Sequence, residues 1–336
     1  MKTKLAISSS DASAPVASAP GVSISRSLFW AQMRCWSLCL LVLALWTGIG
    51  IVGLWSPFLL DLTVFGLPSY CMPLVFTLVV LWNCRKDLRA RLALNASGID
   101  HWTKNGYAFE PDADHPDLFS CELESLSATL AVGKPRWFVT VRKGLSIKVY
   151  APASSAQRAA ILLTSDMLTA GFTVEGRRTL LAHELAHVRL RGYLFDMLSA
   201  SANIIAWSGL AVAALFLPAY WGWPLLLLAL FVLLTCWNAS LLGDIVAALI
   251  SRIHEGSADR MADIVEGPGS VAKCLLHLLR AQLSRAPEGK RVYFARRRQS
   301  GFWGLLRYLK GELLAEHPHD LARVAVSRAA KFGKST

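Results

Sequence analysis

Residues 183–187 read His-Glu-Leu-Ala-His. On a helix, positions i and i+4 lie about 40° apart around the axis, so both imidazoles leave one face and can bind one metal ion. Glu184 falls on the adjoining face. From there it can reach a water polarised by the ion without ligating the ion itself. Zinc lowers the pKa of such a water to about 7, and a carboxylate beside it accepts the proton as the oxygen attacks a peptide carbonyl. The bland alternative is two surface histidines in ordinary hydrogen bonds. Zinc hydrolases use three protein ligands and keep one position open. A third His at the metzincin spacing is missing, because Val188-Arg189-Leu190-Arg191-Gly192 follows the motif. The candidate stretch lies far downstream, at Ser251-Arg252-Ile253-His254-Glu255-Gly256-Ser257-Ala258-Asp259. Glu255 is a suitable ligand, and Asp259 shares its helix face. Asp259 is placed to accept the free ring N–H of a ligand His and so fix its tautomer. His254 competes as ligand but lies about 100° round the helix and has no acid at i+4.

These residues need two helices to carry them. Thr173 can cap a helix whose first turn holds Glu175, and the pattern runs through His183 to Arg191. Asp244–Glu266 reads as one long helix carrying Glu255, and Ser270–Arg285 and Phe302–Leu314 as further helices. Before the metal helix, Pro116–Val132 has leucines at helical spacing. Three short apolar or β-branched runs follow, Trp137–Val141, Ser146–Tyr150 and Ala159–Thr164, with Arg142–Leu145 as a hairpin turn between the first two. A small β-sheet is expected there, with Ala159–Thr164 offering an edge to an extended substrate.

The setting of these helices follows from where charge is absent. The chain has 336 residues, 54% hydrophobic and 17% charged, with mean hydropathy +0.41. Cys35–Leu60, Leu62–Cys84 and Met197–Gly243 contain no charged side chain. About 20 apolar residues cross the hydrocarbon core as a helix. The first two runs each fit one span, and the third fits two joined at Pro218–Pro224. Four transmembrane helices are therefore expected, as two hairpins at 35–84 and 193–243. The peptidase parts are then 85–192 and 244–330, and residues 1–30 form a Ser/Ala/Pro-rich disordered tail. The fold class is a mainly α polytopic membrane protein with a cytoplasmic zincin-like α+β domain.

Of the 35 Lys and Arg, 4 fall in residues 1–34, 15 in 85–191 and 16 in 252–336. By the positive-inside rule both termini and the central region face the cytoplasm, as expected of a bacterial-type inner (plasma) membrane protein. The formal charge of +12 thus reports topology, with anionic lipid a candidate partner for the basic loop Arg285–Arg298. No zinc-finger, helix-turn-helix or RNA-binding signature accompanies it, so nucleic acid is not an expected partner. The seven cysteines include no C-x-x-C pair, so spacing suggests neither a disulfide framework nor a thiolate zinc site.

The sequence resembles the HtpX-like and CAAX-prenyl-protease type of integral-membrane zinc endopeptidase. The resemblance rests on Leu181-Ala182-His183-Glu184-Leu185-Ala186-His187, on Ser251-Arg252 with Glu255 and Ala258-Asp259, and on Glu316-His317-Pro318 followed by Arg323. Ala160–Leu168 is similar to the strand and turn that lead into the family's metal helix. The resemblance covers about residues 115–330. It implies one Zn2+ held by His183, His187 and Glu255, with Glu184 as general base and Asp259 behind the ligands. It also implies His317 and Arg323 near the substrate carbonyl, steadying the oxyanion; read alone they would be a loop and a solvated helix residue. Two positions depart from the family. Gly192 stands where an Asp is common, and no Asn-Ala pair is recognisable in Ala151–Ala156.

The expected activity is hydrolysis of membrane or membrane-tethered proteins at the cytoplasmic face, in protein quality control. Two other classes compete. A signal-transducing metalloprotease of the antibiotic-receptor type would need an outer sensor domain, which the short expected outer loops do not provide. A non-catalytic scaffold with a relic site is disfavoured because Glu184 is retained.

Overall fold

The computed structural model describes residues 21–59, 71–96, 107–108, 120–133, 136–140, 147–150, 160–164, 171–220 and 224–285. In chain order the elements are α1 (Gly21–Leu59), α2 (Cys71–Ala96), β1 (Tyr107–Ala108), α3 (Ser120–Thr129), β2 (Arg136–Thr140), β3 (Ile147–Tyr150) and β4 (Ala160–Thr164), then α4 (Val174–Leu190), α5 (Gly192–Tyr220), α6 (Leu225–Glu266) and α7 (Ser270–Arg285).

Three helices are long and apolar enough to cross a membrane among the described residues: Ile24–Ser56, Gly192–Ala214 and Leu230–Glu266. This corrects the expectation of four. At the expected second span the described helix is Cys71–Ala96, which holds Arg85, Lys86, Asp87, Arg89 and Arg91. Its charged half leaves too short an apolar stretch to qualify. The first span also starts earlier than expected, since α1 is helical from Gly21, inside the stretch read as a tail. Along α1 the large apolar side chains divide by face. Leu28, Cys35, Cys39 and Trp46 are buried, whereas Trp30, Leu41, Leu45 and Val52 are exposed, which suits a helix with lipid on one side.

α1 and α5 run parallel at close range, Trp46 beside Asn203, Gly50 beside Ala206 and Gly53 beside Gly209. A Cβ on Gly50 would strike the Ala206 backbone, and one on Gly53 or Gly209 would strike the other glycine's or Gly50's backbone. Small residues let two helix backbones approach this closely, and dispersion along the seam then holds them. Further along, Trp46 Nε1 donates to Asn203 Oδ1 at 2.7 Å. At the near end of α1, Trp36 Nε1 donates to the Leu190 carbonyl at 2.9 Å and Gln32 Nε2 to that of Arg189 at 3.3 Å. These carbonyls belong to the last turn of α4, which has no intrahelical donors of its own. α1 therefore caps α4 while spanning.

The sheet is small and has the order β1-β2-β4-β3. β2 pairs parallel with β4, Trp137 opposite Ile161, and β3 pairs antiparallel with β4, Val149 opposite Ile161. Two expectations fail here. β2 and β3 are not partners, as a hairpin through Arg142–Leu145 requires, because each pairs with β4. Nor does β4 offer an edge, since it is paired on both sides; β3 is an outer strand, and it packs against α4. The α+β description also overstates the sheet's weight. Ile161 of β4 enters the core beside helix residues: Leu123, Leu126, Leu185, Ile250 and Met261 meet there from α3, α4 and α6, and the four strands together are far shorter than the helices.

Candidate metal centre

α4 begins where the sequence places a cap. Thr173 has extended backbone and its Oγ1 accepts from the Gly176 N–H at 3.1 Å, with Glu175 in the first turn. The helix ends at Arg191, which sits in the left-handed region at φ 54° and donates its N–H to the His187 and Val188 carbonyls. The turn costs some strain in a non-glycine residue and redirects the chain straight into α5. Most of α4 is buried, including His183 and Glu184.

α6 is a single helix of 42 residues, about 63 Å at 1.5 Å per residue. That is twice the hydrocarbon thickness, so the helix runs on beyond its apolar part and carries Glu255 to α4. Side-chain ties fix the two helices at their far ends. Arg178 of α4 holds Glu266 of α6 through two hydrogen bonds, 3.2 and 3.0 Å. Asp263 accepts from the Ser270 hydroxyl and the Val271 N–H at the start of α7, where the helix dipole favours a carboxylate.

Between these ties, His183, His187 and Glu255 converge. His183 Nε2 and His187 Nε2 are 3.2 Å apart. Glu255 Oε2 is 3.5 Å from His183 Nε2, and its Oε1 is 3.4 Å from His187 Nε2. Donors about 2.0–2.1 Å from a tetrahedral zinc stand about 3.3 Å from one another. Two imidazole nitrogens and a carboxylate at these separations outline one face of such a tetrahedron, and the donor set suits a zinc-like divalent ion. Asp259 Oδ1 lies 2.9 Å from His183 Nδ1, so the ring nitrogen turned away from the cluster meets an acid one helical turn beyond Glu255.

Without an ion, the two rings sit in opposite electrostatic states. Burial disfavours a charged His183, but the hydrogen bonds to Asp259 and Glu255 outweigh it and push its pKa up to about 10. Burial, with the His183 charge beside it, pushes His187 down to about 3.

His254 is not part of this cluster. Its ring stacks at 5.0 Å on Phe195 and points Nδ1 toward Cys35, 3.9 Å away. Gly192 lies beside it, where an added Cβ would meet His254 Nδ1 at 3.6 Å. His317, Arg323 and the basic loop beyond Arg285 lie outside the described residues, as does Ala151–Ala156. One set of residues was missed from sequence: Gln32, Trp36 and the cysteines of α1, which approach the metal helix and α6 from over 150 residues away. Their only sequence signal is the i, i+4 spacing of Cys35 and Cys39.

The description "Peptidase family M48" matches residues 118–331, about two thirds of the sequence. The chain belongs to peptidase family M48. Members of this family are metallopeptidases, and the match takes in both helices that carry His183, His187 and Glu255. No curated protein matches the sequence at a significant level. A solved structure, the crystal structure of S. mikatae Ste24p, is similar at 13% identity and a TM-score of 0.46, over 90% of this chain. This chain spans 66% of the length of that one. The M48 chain described here is thus a helical protein with membrane-spanning candidates and a three-donor cluster that could hold a metal ion.

Proposed function

We propose that this M48 chain is a zinc endopeptidase that cuts membrane or membrane-tethered proteins on the cytoplasmic side of the bilayer, in protein quality control. The carrying observation is the triangle of His183 Nε2, His187 Nε2 and a Glu255 oxygen with sides of 3.2–3.5 Å. A zinc ion held there supplies Lewis acidity to a peptide carbonyl and to a water in the open position. Glu184 takes the proton of the attacking water as the new C–O bond forms, and hands it to the departing amine as the C–N bond breaks. Its 7% exposure keeps bulk water from competing for that proton. Asp259 holds His183 in the tautomer whose Nε2 lone pair is free for the ion. His317 and Arg323 complete the proposal as groups that steady the oxyanion.

The cytoplasmic assignment rests on parity and charge. α5 and α6 form a hairpin, so residues 85–191 and 252–336 share one side, and they hold 31 of the 35 basic residues. An extended substrate is given a strand partner by β3, the outer strand packed on α4.

The test is zinc content and proteolysis of the purified chain, wild type against Glu184→Gln. Zinc in both, with cleavage lowered at least about a hundredfold in the variant, is the expected result. Wild type that binds no zinc would overturn the proposal.

A further inference from the structure

The described residues hold a second constellation of ligating side chains. Cys35 and Cys39 on α1 and His254 on α6 are all buried, with one donor atom each lying within 4.8 Å of the others. The two cysteines are one turn apart, so both thiols leave the same face of α1, and that face meets α6. Cys35 Sγ stands 3.9 Å from His254 Nδ1. On a tetrahedral ion with M–S of about 2.3 Å and M–N of about 2.0 Å, sulfur and nitrogen ligands are about 3.6 Å apart. The observed separation needs a closure of only a few tenths of an ångström.

The histidine gives an independent sign. It is 5% exposed, and its Nε2 has no hydrogen-bond partner among the described residues. A buried imidazole nitrogen is costly unless it has a partner; at Nδ1, the nitrogen turned to the sulfurs, that partner among the described residues is the Cys35 thiol. Phe195 and Gly192 shape the space that holds the ring with Nδ1 toward the sulfurs.

We propose that Cys35, Cys39 and His254 form a second metal site, which takes a thiophilic divalent ion of the zinc class. As the ion binds, two S–H protons leave to solvent and two metal–thiolate bonds form, with no change of oxidation state. Two thiolates and a neutral imidazole then cancel a divalent charge, whereas a monovalent ion would leave a net negative charge among apolar helices. Three protein donors leave one coordination position open, as in exchangeable rather than sealed zinc sites. The site joins α1 to α6 one residue before Glu255, so its occupancy steadies the helix that brings the third donor to His183 and His187. The inference stands on α1 and does not require the peptidase reading.

The experiment uses the full chain in detergent, stripped with a chelator and titrated with Co2+ as probe. A thiolate-to-cobalt charge-transfer band reports only a sulfur-ligated site, because the His183/His187/Glu255 cluster has no sulfur. Wild type is expected to take two equivalents and show the band. His183→Ala should take one and keep the band, and Cys35→Ser/Cys39→Ser should take one and lose it. His254→Ala, which leaves α1 intact, should weaken cobalt binding at the band-forming site at least about tenfold. A wild-type chain that takes cobalt without the band, or a band that survives in the double serine variant, overturns the proposal. A single equivalent with the band would instead sink the peptidase reading and leave this one standing.

Discussion

At the residue scale, the cluster's chemistry turns on which groups hold protons. His183 has its pKa raised from 6.5 to about 10, so in the metal-free chain it is charged at neutral pH; His187, lowered to about 3, is neutral. Zinc loading of this cluster at pH 7, read in the Cys35→Ser/Cys39→Ser chain so that no thiol proton of the second site contributes, must therefore expel about one proton, the one on His183. Calorimetry of zinc binding in buffers of different ionisation enthalpy measures that number, and a value near zero would contradict it. The linkage to stability has two signs in the metal-free chain. His183 stabilises the fold fully below pH 6.5 and loses that contribution as pH rises through about 10. His187 acts oppositely: its contribution is present above pH 6.5 and is lost as pH falls toward 3. Asp259→Asn removes the acid 2.9 Å from His183 Nδ1 and should weaken zinc affinity about 10–100-fold, read by competition with a chelator of known affinity. The residue pattern was legible because His183, Glu184 and His187 are local to one helix. Glu255 was legible for the same reason at one remove, since the i+4 acid Asp259 marks the face it uses.

At the element scale, α1 does more than cross. It caps the α4 carbonyls of Arg189 and Leu190 and packs backbone to backbone on α5 through Gly50, Gly53 and Gly209. Gly209→Leu puts a side chain where the Gly50 backbone lies. It should cost about 1–3 kcal/mol or more, seen as a lower melting temperature in detergent. Gly48→Ala, on the same helix with open space beside it, should keep the melting temperature or raise it slightly, because Ala is the better helix former. Equal effects of the two would mean that the seam does not hold the helices together. Nothing in the sequence revealed the seam, because helix pairing in a membrane depends on which faces meet and not on hydropathy. The sheet was misread for a related reason. A hairpin was inferred from the turn residues Arg142–Leu145, but β4 sits between β2 and β3, and such a non-local pairing leaves no mark in a single strand.

At the scale of the whole molecule, the membrane helices and the metal cluster form one body. α5 and α6 enter it as a hairpin whose two ends, at Gly192 and around Glu255, meet the metal helix. Beside that helix runs β3, with one backbone edge on β4 and the other without a partner strand among the described residues. Adjacent residues of an edge strand point their N–H groups alternately inward and outward, so one of Lys148 and Val149 offers an outward donor. Lys148→Pro and Val149→Pro, made separately, remove one each. If an extended substrate adds to β3, the outward one should cut peptide cleavage at least about tenfold while zinc content stays at the wild-type level. Full cleavage by both variants would exclude strand addition there.

The sequence by itself determined the metal helix with its cap, the third-donor helix, the apolar character of α1, α5 and α6, and the concentration of basic charge outside them. Each of these is a local property, set by the side chains of one turn or one span. Only the tertiary structure decided that β4 lies between β2 and β3, and that Cys35 meets His254 across 219 residues. Those depend on which faces pack, and packing joins residues that no periodicity in the chain relates.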